Sequence, residues 1–287
     1  MTHGARRRRW ILVAGALVLV LAALAATLLA RWPSVRAWYL LRTELELIGR
    51  TETGMALYRH RASGLEMVLL PGGEFYRGSD EGAAGFPEER PRHRVRLEPF
   101  LIARTEVTQA DWRRIAGDRF FLHPGDDLPA HGVTWIECRD LCARVGLSLP
   151  TEAEWEYACR AGSETSYSSG VELSSSEANF GLAQGPWPAK HGSPNAFGIF
   201  GMHGNVEEWC IDSFRSDAYR DAPKDDAWRS PVSLDTIDAK VARGGGWRST
   251  AEECRSARRS SVPFSSASTT VGLRPVFRLF RVKGLER

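Results

Sequence analysis

The sequence predicts an α+β domain of irregular build, carried behind an N-terminal transmembrane helix. Three observations lead there: an uncharged run after a basic tail, short strand-like runs broken by Gly and Pro, and a few Thr-capped helices separated by long stretches without periodicity.

Residues 1–9 carry Arg6, Arg7, Arg8 and Arg9, and Trp10 opens an apolar run from Ile11 to Ala30, about the length a helix needs to cross a bilayer. The charge bias makes 1–9 a cytoplasmic tail and 10–31 a signal anchor in the inner (cytoplasmic) membrane. The remainder then lies in the periplasm or outside. A signal peptide cleaved after Ala23-Leu24-Ala25 is the alternative. From Pro33 to about Arg50 apolar residues recur at helical spacing, so 32–62 reads as a juxtamembrane stalk and 63–283 as one globular domain.

The chain has 38 Lys plus Arg; less the four arginines of the tail, these face 35 Asp plus Glu. The outer part is near neutral, which excludes nucleic-acid binding through a basic surface. Five cysteines, Cys138, Cys142, Cys159, Cys210 and Cys254, face an oxidising compartment under this topology, so disulfides are expected, and an odd count leaves one thiol over. No second pair follows Cys138 and Cys142, which argues against zinc.

Along the domain, Met67–Leu70 and Glu74–Arg77 read as strands forming a hairpin across Pro71-Gly72-Gly73. After a Gly-, Pro- and acid-rich loop, Arg94–Glu98 alternates and Phe100–Ala103 continues as strand. Helices are expected after Thr108 and after Thr134, the latter to about Val145. Thr151 with Glu154 three residues on forms a capping box for a third helix ending near Gly162. The stretches 163–195 and 213–238 lack periodicity, as functional or ion-held loops do.

Several separated blocks share one order and spacing: Gly72-Gly73-Glu74-Phe75, Pro91-Arg92-His93-Arg94-Val95, Thr105-Glu106-Val107-Thr108, Leu149 to Tyr157, Asn195-Ala196-Phe197-Gly198, Gly204 to Trp209, Arg243 to Trp247, and Gly272-Leu273-Arg274. Together they resemble the formylglycine-generating (sulfatase-modifying factor) family over about Leu65 to Arg281. The resemblance implies an irregular fold similar to C-type lectins. It implies calcium held by the carbonyls of Gly204 and Val206 and by Glu208, although Gly201 stands where the family has Asn or Asp. A second calcium set would start at Asn179 and Phe180. The competing reading gives Glu208 to the backbone N–H groups of its own loop.

The family also links the third helix to the segment after Arg-Gly-Gly, implying a Cys159–Cys254 disulfide. Its oxidases need two reactive cysteines in that segment, where this chain offers Cys254 alone; under the other alignment Ser249 stands at the first position. A hydroxyl is a poor copper(I) ligand, so either alignment argues against copper-dependent formylglycine formation. Trp247, Arg248 and Arg243 are candidates to line a groove, with buried ion pairing the competing role for Arg243 and Arg274. His93, His131 and His203 are weighed as ligands of non-haem iron, but the helical domain such relatives carry does not fit before Leu65.

The expectation is therefore a membrane-anchored domain lacking the oxidase cysteines that binds a protein or peptide, in an accessory, maturation or toxin-neutralising role. An oxygen-dependent oxidoreductase acting on a peptide or small molecule is the alternative. Sugar binding rests on fold analogy alone.

Overall fold

The computed structural model describes residues 33–82, 85–181, 184–220 and 238–280. It divides into two units, Met1–Glu44 and Leu45–Arg287. Within the first, helix α1 spans Pro33–Thr43. The expected span at 10–31 and the tail at 1–9 lie outside the described residues; among those described, no helix is long and apolar enough to cross a membrane.

The second unit opens with two strands where a stalk was expected. β1 (Leu45–Arg50) pairs antiparallel with β2 (Ala56–His60), and β2 with β3 (Glu66–Leu70). The domain thus begins at Leu45 rather than at residue 63. A short apolar run such as Leu45-Leu47-Ile48 fits either period. Here Leu45 is buried and Leu47 is exposed.

β4 (Gly73–Arg77) does not return along β3, so the expected hairpin is absent; it pairs with β5 (His93–Leu97) in a separate two-stranded sheet. Gly72 makes that exit possible. At φ 68°, it passes so close to the backbone of Leu97 and Glu98 that a Cβ there would collide. β6 (Phe100–Ala103) returns to β3, and every one of its residues is buried.

Helices α2 (Gln109–Ala116), α3 (Trp135–Arg144) and α4 (Glu152–Arg160) start at Thr108, Thr134 and Thr151. All three carry reciprocal capping boxes, with Asp111, Glu137 and Glu154 at the third position, so the box expected at Thr151 alone recurs at Thr108 and Thr134. α4 stops when Ala161 turns left-handed, φ 47°.

β7 (Glu207–Ser213), β8 (Ala239–Arg243), β9 (Ser260–Pro263) and β10 (Val271–Gly272) form a four-stranded sheet in the order β10-β7-β8-β9, with β10 parallel to β7. β11 (Val276–Arg278) completes a five-stranded sheet, β1-β2-β3-β6-β11. Trp155 of α4 sits in the core with Val68, Leu70, Ile102, Val241 and Val276 from the two larger sheets. The expected irregular stretch 163–195 contains neither helix nor strand among its described residues.

Candidate functional site

The Gly204–Trp209 segment enters β7 through a left-handed turn. Gly204 (φ 79°) leaves no room for a Cβ against the Asn179 carbonyl, and Asn205 (φ 65°) follows in the same region. The Asn205 side chain then ties four segments together. Its Nδ2 donates to Glu106 Oε1 (2.9 Å) and the Trp187 carbonyl (3.2 Å), while its Oδ1 accepts from Asn179 Nδ2 (3.2 Å) and the Trp187 backbone N–H (2.8 Å). Nothing in the sequence marked Asn205 or Glu106 as hub residues, because their partners lie up to 99 positions away.

Glu208 accepts from Trp155 Nε1 (2.6 Å) and from Arg274 through Nε (2.9 Å to each oxygen) and Nη2 (2.7 Å). Both side chains are buried. The carboxylate therefore serves a distant guanidinium rather than the N–H groups of its own loop, and it does not fit the calcium ion expected with Gly204 and Val206. Its oxygens are occupied, and a cation there would meet the Arg274 charge. A side chain at Gly201 would come within 2.6 Å of Glu106 Oε2, so the chain has no space for the family's oxygen at that position. Burial first, with the Glu208 charge adding to it, holds the Glu106 carboxyl well above the usual carboxylate range, although Arg274 opposes this.

At the second expected set, Asn179 Oδ1 is buried without a hydrogen-bond partner. With the Phe180 carbonyl it would supply two oxygens of the six to eight that calcium takes. Among the described residues no three His, Cys, Asp or Glu side chains gather as a metal centre.

Arg243 ends β8 inside the domain, where it pairs with Glu156 (2.5 Å) and Glu152 (3.3 Å) of α4. Arg77, Arg160 and Arg259 reach the same two carboxylates. Trp247 is likewise fully buried, ringed by His123 and His131 at centroid distances of 5.7 and 5.5 Å. Of the three groove candidates only Arg248 is exposed; Arg243 and Trp247 are interior, because the three glycines before Trp247 let this loop turn inward.

The expected Cys159–Cys254 disulfide is not formed, and all five cysteines are buried free thiols. Cys159 Sγ contacts the Met202 carbonyl (3.7 Å) and Ser256 Oγ (3.6 Å), and the His203 ring packs beside it, with its Nδ1 2.8 Å from the Cys254 carbonyl. Burial pushes both thiols up to about 12, so neither is a thiolate at neutral pH. Ser249 closes a turn: its Oγ accepts from the Gly246 N–H (3.0 Å) and its N–H donates to the Gly246 carbonyl (2.9 Å).

The three weighed histidines occupy three separate places. His93 meets Tyr219 edge to face, His131 meets Trp247 in the same way, and His203 bonds the Cys254 carbonyl. Beside His203 opens a cavity of about 180 Å³ between 168–178 and 191–203. Length and lack of periodicity are the only signals this region carries in the sequence.

An irregular α+β mixture of short strands, three capped helices and loops held by buried arginine–carboxylate pairs defines the class of protein. A family model described as the sulfatase-modifying factor enzyme 1-like domain matches residues 54–279, and the chain belongs to that family. It is 30% identical to the formylglycine-generating enzyme of Streptomyces coelicolor, across 72% of this chain and 87% of that protein. It is 32% identical to the serine/threonine-protein kinase pkn1 of Chlamydia pneumoniae, across 73% of this chain but only 37% of the kinase. The chain thus spans well under half the length of that relative. The solved structure of PvdO from Pseudomonas aeruginosa superposes with a TM-score of 0.67 at 25% identity, over 81% of this chain and 98% of that one.

Proposed function

We propose that this chain is a membrane-anchored, extracytoplasmic sulfatase-modifying-factor-like domain that binds a protein or peptide partner and lacks copper-thiolate oxidase chemistry. One observation carries the reading: after Arg243-Gly244-Gly245 the chain has a serine locked into a turn and a single buried thiol, where a pair of thiolates is wanted. The anchor rests on the apolar run Ile11–Ala30 behind four arginines. A maturation, accessory or toxin-neutralising role suits a binding domain held on the extracytoplasmic side of the inner (cytoplasmic) membrane.

Incubating the purified chain with a cysteine-containing sulfatase peptide under oxygen tests it: peptide retention without oxygen uptake is the expected result. Oxygen-dependent loss of the peptide thiol would sink the proposal. It would restore the alternative, an oxidoreductase that tailors a peptide or small molecule, which the formylglycine-generating relative favours.

A further inference from the structure

Helix α1 turns aromatic side chains to solvent that the binding reading does not use. Val35, Trp38 and Tyr39 are 40, 57 and 45% exposed. Spaced three and four residues apart, they share one face of the helix. The opposite face carries the buried Ala37 and the half-buried Leu40 and Leu41, so α1 is apolar on two sides. A helix that meets water on one face turns polar and charged residues that way. The polar side chains beside this face turn back onto the helix itself. Thr43 Oγ1 donates to the Tyr39 carbonyl (3.0 Å), and the Arg42 guanidinium lies 4.8 Å from the centroid of the Trp38 ring.

The position of α1 in the chain says what covers that face. It starts at Pro33, three residues after the apolar run ends at Ala30. Three residues of fully extended chain span about 10 Å, so the start of α1 stays that close to the hydrocarbon edge of any bilayer that 11–30 crosses. Proline disfavours helical backbone at the residue before it, which frees α1 from the axis of the preceding run. We propose that α1 lies along the bilayer surface, with Val35, Trp38 and Tyr39 seated at the level of the phospholipid ester groups and Arg42 against a lipid phosphate. Trp and Tyr favour this layer because an apolar ring is buried while its N–H or O–H stays hydrated. The inference rests on the anchored reading and adds a second contact, made with phospholipid rather than with the protein or peptide partner.

Photolabelling tests it. The full chain is reconstituted in phosphatidylcholine vesicles that include a phosphatidylcholine with a diazirine beside its acyl carbonyl, then irradiated and peptide-mapped. Adducts on 35–39 are expected at least about tenfold above those on Phe120, an aromatic outside α1 that is 84% exposed. Moving the diazirine to the acyl terminus should remove the adducts on 35–39 and keep those on 11–30, since an interfacial helix sinks only about 5–10 Å. Label on 35–39 no greater than on Phe120 would overturn the proposal and leave the face to a protein. Equal label from the two probes would overturn it too, as would label that appears only at one chain per vesicle, which assigns the face to a second copy. The anchor is read separately: without adducts on 11–30 from the terminal probe, the anchored reading falls whatever α1 does.

Discussion

Arg274 and Glu208 are fully buried and joined by three hydrogen bonds of 2.7 to 2.9 Å, which makes the glutamate of the Gly204–Trp209 motif a clamp for the last strands of the domain. Arg274 completes the clamp by donating to the Ala103 and Phe200 carbonyls (3.1 and 2.8 Å).

Removing one partner leaves a buried charge alone. Glu208→Ala is expected to destabilise the domain by about 3–5 kcal/mol, lowering Tm by roughly 10 °C. Since the carboxylate is committed to Arg274, millimolar calcium and EDTA should leave the Tm of the unaltered chain where it is. A calcium-dependent rise lost in Glu208→Ala would show the ion displacing Arg274.

Denaturing alkylation without a reductant should add a label at each of Cys138, Cys142, Cys159, Cys210 and Cys254, while the native chain at neutral pH takes label slowly because every thiol is buried and raised. Protection of Cys159 and Cys254 together in the unfolded chain would mean that they are joined.

The folded value of His203, about 4, lies below its ordinary 6.5, so the unfolded chain takes that proton first as pH falls. Its contribution is complete above about pH 6.5 and is lost progressively toward pH 4, about 3 kcal/mol in all. Asp212 works the other way. Burial first, then the Glu152 charge, raises it to about 6, so its contribution is present at low pH and lost as pH rises through 6. The two slopes oppose each other in the unaltered chain. Asp212→Asn should therefore uncover a steeper loss of stability between pH 6.5 and 4, read by urea titration at each pH.

A chain starting at residue 45 should fold and melt cooperatively. Starting at residue 63 instead removes β1 and β2, two of the five strands of the largest sheet, together with the buried Leu45 and Leu57. Circular dichroism and the melting profile distinguish the two, and an unaltered melt in the shorter chain would return β1 and β2 to the stalk.

What the sequence by itself determined is local or carried by motif. The three threonine caps are legible because a capping box lies within four residues, and strands β3 to β6 because alternation and Gly/Pro breaks are local signals. The blocks of the family were readable in order. Tertiary structure alone decided the partners. Glu208 meets Arg274 66 positions away, Arg243 meets Glu156 87 away, and Asn205 meets Glu106 99 away. No spacing rule reaches so far, and a buried carboxylate takes whichever guanidinium or cation the fold brings to it. The same holds for Ser168 and His203, 35 residues apart and brought into contact by loops without periodicity. The strand pairing of β1 and β2 was also decided by packing, since a short apolar run takes its period from the sheet it joins.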